Sequence, residues 1–525
     1  MPSEQYRAHP SYLSTRIIRQ LLLLPALLLI VNGDVTAQQT AREDARIRLS
    51  HDISELLNHD DFQNSLWGIS IRDAESGAVL YARNAIKSFM PASNTKLYTT
   101  ATALHHLGPG YRYRTGLYTD GHVEDGVLHG NLIVRGSGDP VIGGRFNDND
   151  RTELFRQWAD TLQSAGIHQV RGDIIGDGTI FDSPPLGSSW SWDYLTYWYA
   201  AEHAGLSFND NTVDAAIIGT TAGRPAQILI EPNNTSYVEI LNHTLTVPAD
   251  SARRISYDRP IGSNRITIAN HVPEGDTIRY SLSIPNPTLY FAHVLHETLL
   301  AEGIPVLGRP ADIAAASIRP DYDRLTLITT HESPPLADII EVVNTVSQNM
   351  YAETLLMTVG ALFPPDDSEN RNSHQKGLIR QNEFLGAAGV DTSRIVLVDG
   401  SGLSRRNLVT PQMTTSLLRY MWMLPDGDLR QAYMKSLPVG GNPEGTLRTL
   451  FRSGPASMNV RAKTGTIGGA RALSGYVDAA DGRTYAFSIM SNNHLVSTGR
   501  VNQVIEAVVQ MLAAYPSNLN ANHSE

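Results

Sequence analysis

Ser93 and Lys96 are a pair of residues whose types and spacing could support covalent chemistry. They lie in Phe89–Leu107 (FMPASNTKLYTTATALHHL), where Pro91 and the spacing of the apolar residues predict a helix. Residues three apart on a helix share a face, so the Lys96 amine can reach the Ser93 hydroxyl. A buried lysine has a lowered pKa and can take the serine proton, which makes the serine a nucleophile. The pattern is short, however: Ser373–Lys376 repeats it, and Ser93 alone could be an ordinary helix cap.

A second polar group, Ser347-Gln348-Asn349, lies between two predicted helices, Pro335–Asn344 and Met350–Leu362. A helix junction can aim a hydroxyl and an amide at one point. The hydroxyl would then relay a proton while the amide holds a substrate amide. The same Ser-x-Asn spacing recurs elsewhere in the chain, so a polar helix cap is the alternative explanation.

The third group, Lys463–Thr466 (KTGT), is the most distinctive of the three. It lies within residues 460–467 (VRAKTGTI), which are predicted to form a strand. Further strands are predicted after it, at Ala472–Val477 and Thr484–Met490. Consecutive strands of this kind indicate an antiparallel sheet whose edge offers backbone groups to an extended peptide.

The side chains of this strand suit the recognition of a peptide end. Lys463 would attract a substrate carboxylate, and Thr464 could hydrogen-bond the same group. Gly465 would let the strand and peptide backbones approach closely. The N–H of Thr466 could complete an oxyanion hole with the N–H of Ser93. A surface Lys-Thr-Gly turn is the alternative.

The order of the three groups resembles that of the penicillin-recognising serine hydrolases, which include β-lactamases and penicillin-binding proteins. Ser373–Lys376 does not fit that order, because it follows the Ser-x-Asn. More closely, the sequence is similar to the D-alanyl-D-alanine carboxypeptidase/endopeptidase group, the class C low-molecular-mass penicillin-binding proteins. The resemblance spans roughly Leu66 to Asn493, and its flanking segments are PASNTKLYTTATAL (91–104), GSGDP (136–140), LSFNDN (206–211), SQNMYAETLL (347–356), DGSGLSRRNLVTP (399–411) and AKTGTIGGARALSGY (462–476).

The resemblance implies a peptidoglycan hydrolase that attacks the bond between two D-alanines of a stem peptide. Ser93 would be the acylated nucleophile, Lys96 its base, and Ser347 the relay to the leaving nitrogen. Asn349 would orient the substrate amide, and Lys463 would attract the terminal carboxylate. The same chemistry would cut a D-alanyl–diaminopimelate cross-link, and β-lactams would acylate the same serine. No metal and no other cofactor is implied.

The resemblance also implies further substrate contacts. Thr464 and Thr466 would bind the carboxylate and the oxyanion. Family members use an Asp and an Arg to grip the amino-acid end of a diaminopimelate side chain, and the best local matches are Asp177 (in GDGTIF) and Arg405 (in DGSGLSR). Gln348 departs from the pattern, because Asp or Asn is commoner at that position.

The predicted fold is mixed α and β (α/β, α+β). In the family a β-lactamase-like or transpeptidase-like domain is split by an insertion that holds two smaller domains. Residues from Tyr111 to about Ile318 read as short alternating strands broken by Gly, Asn, Asp and Pro, which matches such an insertion. The expected division is a catalytic domain over 38–113 and 325–525, an inserted domain II over 114–185 and 305–324, and an inserted domain III over 186–304.

Residues 1–37 are typical of an export signal. Arginines precede the apolar run Leu21–Val31, and Val35-Thr36-Ala37 offers small residues for cleavage before Gln38. The run is shorter than the roughly 20 residues of a membrane-spanning helix, and a retained N-terminal anchor is the alternative. We therefore expect an exported protein of the bacterial periplasm or cell envelope.

The composition excludes several classes of partner and chemistry. A net charge of −11 without a Lys/Arg block argues against nucleic acid. The chain has no cysteine, which excludes disulfides and a lipid-modified N-terminal cysteine. It also lacks His-Glu-x-x-His and Gly-x-Ser-x-Gly, so a zinc peptidase and an α/β-hydrolase are disfavoured.

Three other functions remain compatible with the sequence. A β-lactamase shares the motifs, although the Glu-x-x-Leu-Asn of class A enzymes is absent. An esterase on the same scaffold would turn over simple esters without releasing D-alanine, and a non-catalytic wall-binding protein would not react with penicillin.

The oligomeric state and a peripheral membrane contact also stay open. The aromatic stretch Ser191–Tyr199 (SWDYLTYWY) could contact substrate, but such clusters more often pack in a core.

Overall fold

Helices and strands are distributed along the whole of the chain that the computed structural model describes, residues 40–232, 234–316, 319–425 and 427–517. The helices are α1 (40–57), α2 (Thr95–Leu107), α3 (Glu153–Ser164), α4 (Pro287–Ala301), α5 (Leu336–Thr345), α6 (Asn349–Leu362), α7 (Ser373–Ala387), α8 (Pro411–Met423), α9 (Gly427–Lys435) and α10 (Thr498–Ala514). The strands are β1 (Leu66–Asp73), β2 (Val79–Arg83), β3 (Arg114–Thr119), β4 (His122–Glu124), β5 (Val127–His129), β6 (Leu132–Arg135), β7 (Gln169–Val170), β8 (Ile174–Asp177), β9 (Thr212–Ile218), β10 (Gln227–Glu231), β11 (Glu239–Val247), β12 (Arg254–Asp258), β13 (Arg265–Pro273), β14 (Thr277–Ser283), β15 (Pro310–Asp312), β16 (Thr326–Glu332), β17 (Arg461–Ile467), β18 (Ala470–Asp478) and β19 (Thr484–Asn492).

The main sheet joins strands from opposite ends of the chain. Its order is β17-β18-β19-β1-β2, and all neighbouring strands are antiparallel. The register of the central pair sets Leu66 opposite Asn492 and Asp73 opposite Tyr485. Everything between β2 and β17 must therefore leave this sheet and return to it, and β17 is left as an edge strand.

Both faces of the main sheet are covered by helices. On β18, Ala472 and Tyr476 pack with α2, α5, α6 and α8, whereas Leu473 and Val477 pack with α1 and α10. Successive side chains of a strand point to opposite faces, so a strand buried along its length contributes to two cores. The sheet is thus held rigidly between two helical layers, with the start of α2 next to the edge strand β17.

The chain leaves the main domain after α2 and returns to it before α5 through two paired strands. β3 and β16 are antiparallel neighbours, and Arg114 pairs with Glu332 across them at 2.9 Å. They belong to the sheet β15-β8-β6-β3-β16, and the other sheets of the insertion are β10-β9-β14, β11-β13-β12 and β4-β5-β7. One continuous apolar cluster joins these strands with α3 and α4. β16 therefore pairs within the insertion, although the division expected at residue 325 assigns it to the catalytic part.

The fold class expected from the sequence is confirmed: a mixed α and β fold has an antiparallel sheet interrupted by a β-rich insertion. The elements that carry the second and third polar groups begin within one residue of their predicted starts, at Leu336, Asn349 and Arg461. The predicted export signal, residues 1–37, lies outside the described residues. Among the helices that the structure describes, none combines the length and apolar character that crossing a membrane requires.

Candidate active site

Ser93 lies in a short 3-10 turn, Ala92–Asn94, that runs directly into α2. The sequence suggested that the helix itself begins here. The separate turn arises because Ala92 has a φ of +47°, which a regular helix does not allow. Asn94 secures the turn, since its Nδ2 donates to the carbonyl oxygen of Lys463 at 2.7 Å. The candidate nucleophile is therefore tied directly to β17.

Lys96 is fully buried, and its amine has three hydrogen-bond acceptors. Nζ lies 3.1 Å from Ser93 Oγ, 2.5 Å from Asn349 Oδ1 and 2.7 Å from the carbonyl oxygen of Ser401. Burial lowers the pKa of Lys96 to about 7, and two nearby carboxylates oppose that shift. An amine with a pKa near neutrality can lose its proton and accept one from Ser93.

Those two carboxylates hold the loop that supplies the Ser401 carbonyl. Glu353 of α6 accepts from the N–H groups of Gly400 at 3.0 Å and of Ser401 at 2.8 Å. Asp399 accepts from two further N–H groups of the same loop, at 2.8 and 2.6 Å. Burial and the charge of Asp399 raise the pKa of Glu353 to about 8. Because both carboxylates are fully buried, they act on Lys96 through the loop and through charge rather than from the cleft.

Ser347 lies on the junction between α5 and α6, as predicted. Its φ of +68° is in the left-handed region, a costly conformation for serine that is found mainly at functional positions. Its Oγ accepts a hydrogen bond from Lys463 Nζ at 2.8 Å. Asn349, at the start of α6, bonds to Lys96 through Oδ1 and donates from Nδ2 to the carbonyl oxygen of Tyr199 at 2.6 Å. The junction therefore connects both lysines of the site.

The strand β17 supplies the remaining polar groups. Burial, together with the positive charges of Lys96 and Arg471, holds the pKa of Lys463 well below its usual range. Thr464 and Thr466 line the cleft. Arg471 of the neighbouring strand β18 donates to the Thr466 hydroxyl and so fixes the position of that hydroxyl. The strand thus presents two hydroxyls to the cleft, with the buried Lys463 amine beside them on the same strand.

Gly465 is the point at which β17 approaches the Ser93 turn most closely. A Cβ at this position would lie 2.4 Å from the carbonyl oxygen of Pro91 and 3.2 Å from the backbone nitrogen of Ser93. From the sequence we expected the glycine to make room for a peptide substrate. In the structure it makes room for the backbone of the Ser93 turn, so a glycine is needed here for packing within the site.

A cleft of about 450 Å³ opens over these groups and is lined on one side by aromatic residues of the insertion. Its lining includes Ser93, Ser347, Asn349, Thr464, Thr466, Tyr194, Trp198 and Tyr199. The sequence favoured core packing for the stretch Ser191–Tyr199. That expectation was wrong: Tyr194, Trp198 and Tyr199 line the cleft, and Trp192 is 75% exposed. Aromatic composition alone does not distinguish a core from a binding wall.

Arg405 lies at the rim of the cleft. It is exposed, and its guanidinium donates to the carbonyl oxygen of Gly468 at 2.6 Å. Gly468 itself lines the cleft just beyond the end of β17. Arg405 is therefore within reach of a ligand that extends from the cleft towards solvent.

Asp177 lies elsewhere, at the end of β8 in the insertion. It is buried, and its carboxylate accepts from the N–H of Thr179 at 2.9 Å and from the Tyr322 hydroxyl. These bonds use the carboxylate of Asp177 at the end of β8, and Asp177 is not among the residues that line the cleft.

An acidic group nearer the cleft is Asp193, which is exposed beside Tyr199. Burial raises the pKa of Tyr199 to about 12, and the charge of Asp193 contributes to that shift.

Several supporting groups escaped the sequence analysis. The carbonyl oxygens of Ser401 and Tyr199 have no sequence signal, because every residue carries one. Glu353 is signalled only as a charge within an otherwise apolar helix, MYAETLLMTVGAL. The second Ser-x-x-Lys lies apart at the start of α7, where Ser373 Oγ donates to Asp182 at 2.6 Å.

Known proteins are similar to this chain in sequence and in fold. A D-alanyl-D-alanine carboxypeptidase of Actinomadura sp. (strain R39) is 30% identical over 512 residues, which cover 94% of this chain and 90% of that protein. The crystal structure of penicillin binding protein 4 from Haemophilus influenzae matches with a TM-score of 0.72 at 23% identity, covering 88% of this chain and 99% of that one. A second structure of the latter protein, complexed with a β-lactam, matches with a TM-score of 0.68 at 22% identity and covers 88% of this chain and 100% of that one. The family model of the D-Ala-D-Ala carboxypeptidase 3 (S13) family matches residues 49–515, and the chain belongs to this family.

Proposed function

We propose that this protein is a serine DD-peptidase that removes the terminal D-alanine from peptidoglycan stem peptides and cuts D-alanyl–diaminopimelate cross-links. One observation carries the proposal. Lys96 Nζ lies 3.1 Å from Ser93 Oγ, in a cleft that also receives the hydroxyl of Ser347 and the amide of Asn349. A hydroxyl, a neutralisable amine and a proton relay are the parts that acyl transfer requires.

Acylation begins with Lys96 in its neutral form. As Ser93 Oγ attacks the carbonyl carbon of the penultimate D-alanine, its proton passes to Nζ. The carbonyl oxygen becomes an oxyanion, for which we assign the N–H groups of Ser93 and Thr466 as donors. Asn349 Oδ1 and the Ser401 carbonyl hold the amine in line while the proton moves.

The leaving nitrogen must gain a proton as its bond to carbon breaks. Ser347 Oγ accepts from Lys463, so its own proton remains available for donation towards the cleft. We assign Ser347 as the relay: its hydroxyl proton passes to the leaving nitrogen and is replaced by a proton from Lys463 Nζ. Free D-alanine then leaves, or the amine of a diaminopimelate side chain leaves from a cross-link. Water then hydrolyses the acyl-enzyme: its hydroxyl joins the acyl carbon, its other proton returns to Lys463 through Ser347, and Lys96 gives the Ser93 proton back to Oγ.

Substrate recognition rests on the strand edge and on the rim. Lys463 and the hydroxyls of Thr464 and Thr466 are assigned to the carboxylate of the terminal D-alanine. Arg405, which already bonds a cleft carbonyl, is assigned to the charged end of the diaminopimelate side chain. Asp177 is left out of the proposed contacts, since its carboxylate is used within the inserted sheet.

The same attack should open a β-lactam ring and leave a covalent product on Ser93. We expect its release to be slow. Glu353, an acidic side chain near Lys96, is fully buried and bonded to backbone N–H groups. It therefore has no access to a cleft water, unlike the deacylating glutamate of class A β-lactamases.

Stem peptides lie outside the cytoplasm, so the proposed substrate requires export to the periplasm or cell envelope. The apolar run at residues 21–31 supports this part of the proposal. N-terminal sequencing of protein recovered from the cell envelope should find Gln38 as the first residue.

The proposal is tested by digesting defined monomeric and cross-linked muropeptides with the wild type, Ser93→Ala and Ser373→Ala. The last variant removes the serine of the other Ser-x-x-Lys, which lies outside the cleft. We expect D-alanine release by the wild type and Ser373→Ala, and none by Ser93→Ala.

Other outcomes would identify a different function. Rapid turnover of benzylpenicillin without D-alanine release would indicate a β-lactamase, and turnover of simple esters alone would indicate an esterase. Absence of labelling by fluorescent penicillin would indicate a non-catalytic wall-binding protein.

A further inference from the structure

Gln348 is buried and bonds to the insertion instead of lining the cleft. Its Nε2 donates to Asp210 Oδ2 at 2.9 Å, and its Oε1 accepts from the N–H of Met350 at 3.3 Å at the start of α6. An Asp or Asn side chain at this position would be one methylene shorter. The longer side chain of Gln348 therefore accounts for its reach across to the insertion.

Asp210 is held from two more sides. Arg145 forms an ion pair with its Oδ2, and the hydroxyl of Tyr351 in α6 donates to Oδ1 at 2.9 Å. The residues Asn209, Asp210 and Asn211 have φ values of 48°, 54° and 55°, all left-handed. Asn and Asp tolerate this conformation better than other side chains, but three in succession persist only where their surroundings hold them. The tip of the LSFNDN segment is thus a fixed anchor.

We propose that Asp210 is a positioning residue that acts through Gln348 to set Ser347 and Asn349 in the cleft. Gln348 lies between these two residues, so a rotation of its backbone moves the hydroxyl of one and the amide of the other. Ser347 is itself strained, with a φ of +68°, and would relax if the middle residue lost its anchor. The inference rests on the proposed function, because the roles of Ser347 and Asn349 come from it.

A second contact from the insertion supports the same conclusion. Asn349 Nδ2 donates to the carbonyl oxygen of Tyr199 at 2.6 Å, so two separate segments of the insertion hold the helix junction. The insertion is then part of the active site rather than an appended module. A displacement of about 1 Å at a reacting group can cost on the order of 100-fold in rate.

The test compares four variants with the wild type: two single changes at Gln348, a double variant and a control. Gln348→Glu sets a carboxylate against Asp210, and Gln348→Asn withdraws the amide by one methylene. For each we expect kcat for D-alanine release and the rate of fluorescent-penicillin labelling to fall by about 10-fold or more. KM should stay within about threefold, since β17 and Arg405 are untouched, and the melting temperature should remain close to that of the wild type.

The double variant Gln348→Glu/Asp210→Asn reverses the polarity of the bond. The amide introduced at position 210 can donate to the carboxylate introduced at position 348, and Arg145 keeps a carboxylate partner nearby. We expect this variant to recover most of the kcat lost by Gln348→Glu. A merely structural contact would instead lower the melting temperature of Gln348→Glu and leave kcat per penicillin-labelled site unchanged.

Asp276→Asn is the matched control. Asp276 pairs with Arg253 in the same insertion and makes no hydrogen bond to Gln348 or to the Asn209–Asn211 turn. This variant should keep the wild-type rates. An unchanged kcat in Gln348→Glu, a double variant no better than the single one, or an equal loss in Asp276→Asn would each overturn the inference. A wild type that neither releases D-alanine nor reacts with penicillin would instead overturn the proposed function.

Discussion

Lys463 donates from Nζ to the hydroxyl of Ser347 at 2.8 Å, a bond between residues 116 positions apart. Lys463 belongs to the edge strand of the main sheet, whereas Ser347 lies on a helix junction beyond the insertion. The bond uses a lone pair of the serine and leaves its proton available. It also keeps the Lys463 amine beside the position at which the substrate carboxylate is expected.

The first prediction concerns the proton relay. Ser347→Ala should lower kcat for D-alanine release by about 10²- to 10⁴-fold, because the leaving nitrogen loses its proton donor. Steady-state kinetics on a D-Ala-D-Ala stem peptide measure this loss. Ser368→Ala is the control, since Ser368 begins another Ser-x-Asn but bonds to the Pro365 carbonyl at 2.5 Å. An activity of Ser347→Ala equal to that of the control would rule out the relay.

The second prediction concerns pH. Lys96 must be neutral to accept the Ser93 proton, and its pKa is lowered to about 7 by burial. The rate of acylation should therefore be low below this value, rise through it and level off above it. The apparent value belongs to Lys96 together with the charged groups coupled to it. Penicillin-labelling rates between pH 5 and 9 measure the profile.

A control for this profile replaces the base with a cation that keeps its proton. Lys96→Arg should not react at any pH in the range, since a guanidinium does not deprotonate in proteins. A wild-type rate that is the same at pH 5.5 and 8.5 would contradict the role of Lys96.

The third prediction separates two neighbouring arginines. Arg405 bonds to Gly468 at the cleft, whereas Arg406 is exposed and approaches Ser189 at 3.4 Å. Arg405→Ala should raise KM for diaminopimelate-containing stem peptides by about 10-fold, the scale of one charge-assisted hydrogen bond. Arg406→Ala should leave KM unchanged. The effect should vanish for peptides whose third residue lacks the charged end, and equal effects of both variants would contradict the assignment.

The fourth prediction concerns packing at the nucleophile. Gly465→Ala would set a methyl group 2.4 Å from the Pro91 carbonyl oxygen, so the Ser93 turn must shift. We expect a loss of about 1–3 kcal/mol in the free energy of unfolding, together with slower labelling by penicillin. Gly386→Ala is the contrasting control: its site on α7 is open, and alanine favours the helix by about 0.5–1 kcal/mol. Denaturant unfolding measures both, and a neutral Gly465→Ala would show that the turn is not tightly packed.

The locations of the aromatic stretch Ser191–Tyr199 and of Asp177 could not be inferred from the sequence. Tyr194, Trp198 and Tyr199 have the composition of a core, and their place at the cleft depends on how the insertion folds back over α6. Asp177 has a favourable sequence context, yet its carboxylate is hydrogen-bonded to Thr179 and Tyr322 at the end of a strand of the insertion. Neither outcome follows from periodicity, because each depends on which distant segments meet.

The sequence by itself determined the reactive groups and their order along the chain. Ser93 and Lys96 meet because three residues make nearly one helical turn, a local property that any helix of this sequence preserves. The mixed fold and its interruption by strands were predictable for the same reason, since hydrophobic period and turn residues act over short distances.

Only the tertiary structure decided which groups support those residues. Asn94, Glu353 and Asp210 act on partners that lie 369, 48 and 138 residues away along the chain, and the Ser401 and Tyr199 carbonyls act without any side chain. Such contacts leave no local pattern, because they are set by packing between elements and not by the order of residues within one. Short stretches of the sequence therefore determine which reactive residue types are present, whereas the positions of these residues relative to one another depend on the whole fold.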